Sequence, residues 1–485
     1  MASVIGIDCS TQSCTVEVRD SDDGTLLSSS SVPLPQTYPP RSEQWPRDWW
    51  NALSSAVRAY DIADVQSIAV TGQSHGLVLL DKGDRALRPA KLWNDTESQV
   101  EAEELVERLG AEVWVERIGS VPKAAFTITK LAWVWKHEPE TAGKVARVLL
   151  PHDWITHRLC GSFVTDRGEA STTGYFDPAQ ATWCFPLLEL VDKAAPWGEF
   201  LPGVAQPEGI AGELSGAPAG ELSLRKGIPV TVGTGDQMAG ALGLGLVPGE
   251  IGISLGTSGT IYTVHDFPVS DKLGVVDGFA DATGRFLPLV CTLNAAKVLD
   301  ATRRLLGVNY QDFSELILGS HPLGDLTLVP YLDGERSPNL PFSSGFLVGI
   351  RSDVTQAELA RAAAEGMLSG ILEGYDSLLR ATGLHSPKFL TVTGGASKSK
   401  AVMQVLSDLS QLPVYVTSDN DASARGACVQ AAAAAKGRKI SDVCGDWRPR
   451  MVLGAEPSVP KDYSNRRRQL YREQARLAYE MTSRH

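Results

Sequence analysis

One local pattern occurs twice in this chain, about half its length apart. Near the start, Val4–Ile7 and Thr15–Val18 read as strands joined by the polar turn Asp8-Cys9-Ser10-Thr11-Gln12-Ser13. In the middle, Ile251–Leu255 leads through Gly256-Thr257-Ser258-Gly259-Thr260 into a second strand at Ile261-Tyr262. No shorter period recurs. A doubled strand–turn–strand at this separation predicts two related halves rather than a solenoid, with a boundary near Pro248. The 485 residues agree, since ~150 residues per domain leaves room for two or three folding units.

Between the hairpins, Val65–Val70 and Leu77–Leu80 read as strands around the turn Gly72–Gly76. Helical periodicity marks Ser98–Leu109, Lys130–Lys136 and Trp154–Leu159. Pro202–Pro229 is rich in Gly, Pro and Ala and reads as loop, leading into a strand at Val230–Val232. The second half adds helical patterns at Gln356–Ala381 and Ala422–Ala435 around a strand and turn at Phe389–Gly395. A basic helix from Tyr463 has Leu470, Leu477 and Met481 spaced for one apolar side. Such a helix is expected to dock on the body rather than to reach for nucleic acid.

Composition excludes several classes. Subtracting 57 acids from 45 bases gives −12, which disfavours nucleic-acid and anionic-membrane partners. Seven scattered cysteines without a CxxC pair argue against a disulfide framework or a structural zinc. The N-terminal residues lack a basic segment, and no apolar run reaches the ~18–20 residues that span a bilayer, so a cytoplasmic enzyme is expected.

Gly72-Gln73-Ser74-His75-Gly76 matches the hydrolase pattern GxSxG, but a nucleophile elbow needs a helix after the serine and Leu77–Leu80 reads as strand. Gly252–Gly256 matches the same pattern, so it discriminates little. Neither GxxxxGK[ST] nor GxGxxG occurs. Tight turns with exposed amides and hydroxyls can hold phosphates instead, and the carboxylate of Asp8 could hold Mg2+. Asp236, in Gly233-Thr234-Gly235-Asp236-Gln237, follows a strand and opens a small-residue helix. It reads as an N-cap, the common role for Asp at such a junction, or as a general base for an alcohol attacking a γ-phosphate. His75 suits either a ligand contact or a structural hydrogen bond. His152, Asp153 and His157 resemble a loose metal cluster, but their spacing puts the histidines on different helix faces.

In order along the chain, these segments resemble the FGGY family of carbohydrate kinases, and within it the branch that phosphorylates xylulose. Gly6-Ile7-Asp8 with Thr11 is similar to the family's first phosphate turn. Ser42-Glu43-Gln44 with Trp49-Trp50 and Leu92-Trp93-Asn94-Asp95 are similar to segments of that branch, and Gly72–Gly76 to its sugar turn. Ala125–His137, Pro330–Pro338, and Gly345–Ile350 with Glu358–Glu365 follow further signatures, with Ala125 and Ala364 as departures. Thr393-Gly394-Gly395-Ala396 and Ala424-Arg425-Gly426-Ala427 resemble adenosine-side elements. Gln237 stands where Asn is usual in that branch, and Glu97 where Arg is common. Both departures fall on the sugar side.

The resemblance implies an α/β fold of two ribonuclease-H-like domains of the actin/Hsp70/sugar-kinase type with an interdomain cleft. Residues 1–247 would bind sugar and carry the first phosphate turn, residues 248–440 would bind ATP, and residues 441–485 would form a helical tail. It implies ATP-dependent phosphorylation of a ketopentose, D-xylulose to D-xylulose 5-phosphate. Asp236 and Asp8 would be catalytic, and Asp8 would also hold the metal. Ser74, His75, Trp93, Asp236 and Gln237 would contact sugar. Thr11, Ser13, Thr257, Ser258, Gly394, Gly395 and Ala396 would contact ATP. The alternatives are a kinase of another ketose or a polyol, or an actin-like ATPase without a small acceptor. ATP and Mg2+ are the cofactors implied, a sugar and ATP the partners, and a homodimer is compatible with this reading.

Overall fold

The computed structural model describes residues 2–59, 64–320, 324–341, 343–385, 387–417 and 421–482. The chain folds as two compact units that are not consecutive segments: residues 1–245, 265–287 and 421–448 form the first, and 246–264, 288–420 and 449–485 the second. A cut at 247/248 follows the order of the sequence, whereas packing places Asp421–Arg448 in the first unit.

The first unit is built on a seven-stranded mixed sheet. Its strands run Ile210–Glu213, Pro229–Thr231, Val65–Gly72, Ser3–Cys9, Ser13–Asp20 and Leu26–Pro33, with Thr234–Gly235 also paired to Val65–Gly72. Ser3–Cys9 is antiparallel to Ser13–Asp20, as the hairpin demands, and parallel to Val65–Gly72 on its other side. Parallel strands buried on both faces read as continuous apolar runs, and Val4, Ile5 and Ile7 are fully buried accordingly. One face is covered by a core around Trp49, Trp154 and Leu53, to which the amphipathic helix Pro46–Arg58 contributes.

The helix Ala422–Lys436 lies against Ser3–Cys9 and Val65–Gly72 and crosses the helix Asp236–Gly243. Alanines and glycines line it, so backbones approach closely. A Cβ on Gly426 would overlap the carbonyl of Ala239, one on Gly243 that of Ala422, and one on Gly6 that of Ala424. This contact is why the segment belongs to the first unit.

The second unit repeats the plan. The strands of its sheet that belong to this unit run Phe286–Thr292, Gly259–Thr263, Ile251–Leu255, Leu390–Thr393, Val414–Thr417 and Met451–Ala455. Ile251–Leu255 is antiparallel to its hairpin partner and parallel to Leu390–Thr393. The doubled hairpin thus marks the corresponding centre of each sheet. The helix Gln356–Thr382 opens on a capping box, with Glu358 N–H donating to Thr355 Oγ1 and Thr355 N–H to Glu358 Oε2.

Two local expectations change. Pro202–Pro229 contains strands Gly203–Ala205 and Ile210–Glu213 and the helix Gly216–Leu222, and the strand that follows is Pro229–Thr231. These elements are too short to show periodicity; partners in the sheet and core hold them. The last helix, Lys461–Thr482, does dock on its unit, but Leu477 and Met481 are exposed. Its buried side carries Ser464, Arg467, Tyr471 and Ala478, with Arg467 Nε 2.6 Å from Glu365 Oε2.

Candidate active site

In the first unit, Cys9 lies opposite Gly72, and Gly72 opposite Gly235, on parallel strands. Three loops therefore leave the sheet side by side: the turn after Cys9, the Gln73–Gly76 turn, and the start of the Asp236–Gly243 helix. The C-terminal edge of parallel strands is where open α/β sheets bind ligands.

Asp8 is buried, and its Oδ2 accepts from Ser10 Oγ at 3.2 Å while its Oδ1 has no hydrogen-bond partner among the described residues. Burial, then the negative charges of Asp421 and Asp236, push its carboxyl well above the usual range. Asp421 also caps the helix Ala422–Lys436, accepting from Ala424 N–H at 3.0 Å. A buried oxygen without a donor, faced by two more carboxylates, suits a hard divalent cation with oxygen ligands.

Asp236 is the first residue of its helix, and the N-cap is Gly235, which corrects the capping alternative. Its Oδ1 accepts from Gln237 N–H at 2.8 Å and lies 3.2 Å from Ser74 Oγ. Burial pushes the Asp236 carboxyl up to about 6. Gln237 itself is half-buried. Ser74 Oγ also lies 2.7 Å from Oε2 of Glu169, a fully buried residue that accepts the His75 N–H on Oε1 at 3.1 Å.

His75 has φ +65°, a left-handed conformation uncommon outside glycine. Its ring is fixed: Nδ1 is 2.7 Å from the Thr172 carbonyl, and the ring stacks on Phe126 at 4.9 Å. Such strain persists where surrounding contacts over-determine it, as functional sites often do.

Thr11 joins the first turn to Gln44, Gln73 and Trp93. Its hydroxyl donates to Gln73 Oε1 at 3.0 Å and accepts from Trp93 Nε1 at 2.8 Å, while Gln44 Nε2 donates to its carbonyl at 2.9 Å. Ser13 closes the same turn, its carbonyl accepting the Ser10 N–H. Glu97 forms its ion pairs with residues other than the proposed sugar contacts. It pairs with Lys91 Nζ at 2.6 Å and Arg41 Nε at 3.1 Å. Glu43, Asp95 and Glu97 could together surround a metal, but Lys91 Nζ already lies within 3.4 Å of all three and sits over the Trp133 ring.

Sequence reasoning missed Glu169, Asp166, His152 as their neighbour, and Asp421. Asp166 accepts from Gly168 N–H, Glu169 N–H and Thr234 Oγ1. Burial disfavours a charged His152, but Asp153 and Asp166 outweigh it and raise the ring to about 9. His157 faces elsewhere, with Nδ1 3.1 Å from the Ser162 carbonyl. The only sequence signal for this group was Asp166-x-x-Glu169 before a run of small residues, which also reads as an ordinary helix start.

In the second unit, Thr257 and Ser258 form the hairpin turn, Thr257 exposed and Ser258 half-buried. The carbonyls of Gly256 and Thr257 accept from Ala296 and Ala295 N–H, which turns the rest of the loop outward. Ser254 lies opposite Thr393, so Gly394, Gly395 and Ala396 emerge beside that turn. Gly394 has φ +90°, and a Cβ there would sit 2.6 Å from the Leu255 carbonyl oxygen. A Cβ on Gly395 would meet nothing within 4 Å, so its backbone is open to a ligand.

Comparison with known proteins identifies the family. The model of the FGGY carbohydrate kinase N-terminal domain matches residues 3–243, and that of the C-terminal domain residues 251–435. The xylulose kinase of Streptomyces coelicolor is 41% identical over 447 residues, covering 92% of this chain and 90% of the relative. That of Escherichia coli is 32% identical over 452 residues, covering 90% of each. The solved xylulose kinase of Bifidobacterium adolescentis superposes with a TM-score of 0.83 at 33% identity, covering 98% of this chain and 99% of that one. With matching models over both halves and two α/β units centred on equivalent hairpins, the chain belongs to the FGGY family of carbohydrate kinases.

Proposed function

We propose that this kinase transfers the γ-phosphoryl group of ATP to O5 of D-xylulose, with Asp236 as the general base. The observation that carries the reading is the placing of the half-buried Asp236 carboxylate 3.2 Å from Ser74, on the turn that also presents His75. A carboxylate raised to about 6 is largely ionised at neutral pH yet basic enough to accept a proton. As the sugar hydroxyl attacks, its O–H bond breaks and an O–H bond forms on Asp236. Ser74, His75, Trp93 and Gln237 orient the acceptor; holding the hydroxyl in line matters because phosphoryl transfer asks for positioning more than covalent chemistry.

Asp8, with its unpartnered oxygen beside Asp421 and Asp236, would hold Mg2+, which when bound neutralises phosphate charge. In the second unit, the open backbone at Gly395 and the Thr257-Ser258 turn suit the nucleotide, with Gly394 and Ala396 shaping the loop. Thr11 and Ser13 border the first phosphate turn. Because the Thr11 side chain is engaged with Gln73 and Trp93, a phosphate oxygen there would be met by the turn's main chain. No described helix is long and apolar enough to cross a membrane.

Gln237 supports a second acceptor class, another ketose or a polyol, because its amide reaches further than Asn. The test is ADP release across D-xylulose, D-ribulose, L-ribulose, L-xylulose and glycerol, for the wild type, Gln237→Asn and His75→Ala. D-xylulose should show the highest kcat/KM, and His75→Ala should weaken sugar use. Preference for glycerol, or unchanged sugar affinity without His75, overturns the xylulose assignment and leaves the kinase intact.

A further inference from the structure

Two carboxyl groups share one hydroxyl in the first unit. Ser74 Oγ is 2.7 Å from Glu169 Oε2 and 3.2 Å from Asp236 Oδ1. A serine hydroxyl has one proton and two lone pairs, so it cannot donate to both. If both carboxyls were ionised, one would face a lone pair in a poorly solvated site. A single added proton, on one of them, completes a chain of donors.

Burial decides which carboxyl holds it. Glu169 is fully enclosed, whereas Asp236 is half-buried. Losing hydration disfavours the charged form of the more enclosed group. The charged neighbours of Glu169 are His152, Asp166 and Asp236; burial outweighs the positive charge of His152, and its carboxyl stands well above the usual range. Glu169 Oε1 already accepts the His75 N–H, so the proton belongs on Oε2, facing Ser74. The site is also sized for this contact, since a Cβ on Gly235 would overlap Glu169 Oε2 and crowd Ser74 Oγ.

We propose that Glu169 is a positioning residue acting through Ser74: its neutral carboxyl donates to Ser74 Oγ, so that the serine proton points at Asp236 and holds that carboxylate oriented and free to accept the sugar proton. The inference rests on Asp236 being the base. During transfer the hydroxyl proton moves to Asp236, while Ser74 and Glu169 keep theirs. Pairs of carboxyls whose surroundings push them to opposite protonation states are a recurring way to fix acid and base roles.

The test turns on glutamine. Its amide matches a neutral carboxyl, with an oxygen for the His75 N–H and an N–H for Ser74. With saturating D-xylulose and Mg·ATP, Glu169→Gln should keep kcat within about threefold of wild type. Glu169→Met should lower it about 10–100-fold, part of the ~10²–10⁴ that base catalysis supplies. In a Ser74→Ala background, Glu169→Met should add little further loss, because the residue acts through the serine. Should Glu169→Met fail to fold, Glu169→Asp, its carboxyl withdrawn by one methylene, replaces it with the same expected direction. Equal losses in the Gln and Met variants, wild-type turnover in the Met variant, or fully additive losses with Ser74→Ala overturn the proposal. High turnover in Asp236→Asn instead overturns the base assignment on which it stands.

Discussion

Replacing Asp236 by Asn should abolish most turnover and, at the same time, gain stability relative to wild type as pH rises. The carboxyl is raised from 3.8 to about 6 in the folded protein. Between those values the folded state binds the proton more tightly than the unfolded chain, so stability falls as pH rises through the window and is lowest above it. At ~1.36 kcal/mol per pH unit, the penalty is about 1 kcal/mol at pH 4.5 and about 3 kcal/mol at pH 8. Asparagine carries no such penalty. Whatever its fixed packing difference, the stability of Asp236→Asn relative to wild type should therefore improve by roughly 2 kcal/mol from pH 4.5 to pH 8. Urea unfolding of both proteins at the two pH values, without sugar, nucleotide or Mg2+, measures this directly. Turnover by ADP release should fall about 10²–10⁴-fold. A stability difference that stays flat with pH would mean that the carboxyl is not raised. Near-full turnover would mean that it is not the base.

Three other outcomes follow from the geometry. Asp8→Asn should raise the Mg2+ concentration needed for half-maximal turnover while leaving sugar affinity close to wild type; an unchanged Mg2+ titration refutes the metal role. Gly394→Ala forces a Cβ against the Leu255 backbone at φ +90° and should cost about 1–3 kcal/mol, with a raised KM for ATP. A variant of wild-type stability and KM would show that the loop has room to shift. Lys91→Met leaves Glu43, Asp95 and Glu97 without their shared cation and should destabilise by about 3–5 kcal/mol, read by thermal unfolding at pH 7; a loss below about 1 kcal/mol would show that the lysine does not hold this cluster together.

The parts legible in the sequence are those whose chemistry is local. Hairpin turns at Asp8–Ser13 and Gly256–Thr260 announce themselves by small polar residues between apolar runs, and the long helix at Gln356 by its period. Glu169 was invisible because its meaning lies in Ser74, 95 residues earlier in the chain. The buried side of the last helix escaped for a related reason. Hydropathy selected Leu470, Leu477 and Met481, but the ion pair of Arg467 with Glu365 and the tyrosine at 471 decide which side docks. The strands between 203 and 231 exist through partners elsewhere in the fold, so a window of neighbours could not reveal them.

The helix Ala422–Lys436 has a consequence for synthesis. Strands Ser3–Cys9 and Val65–Gly72 leave the ribosome early, yet the helix that covers them is encoded roughly 175 residues after the first unit's main segment ends. At ~5–20 residues per second, that sheet face waits about 9–35 s for its cover. During this interval the nascent chain exposes a glycine-notched apolar surface shaped for one alanine-rich helix. A fragment ending at residue 250 should therefore be protease-sensitive and aggregation-prone, and a peptide spanning 421–448 supplied in trans should protect it.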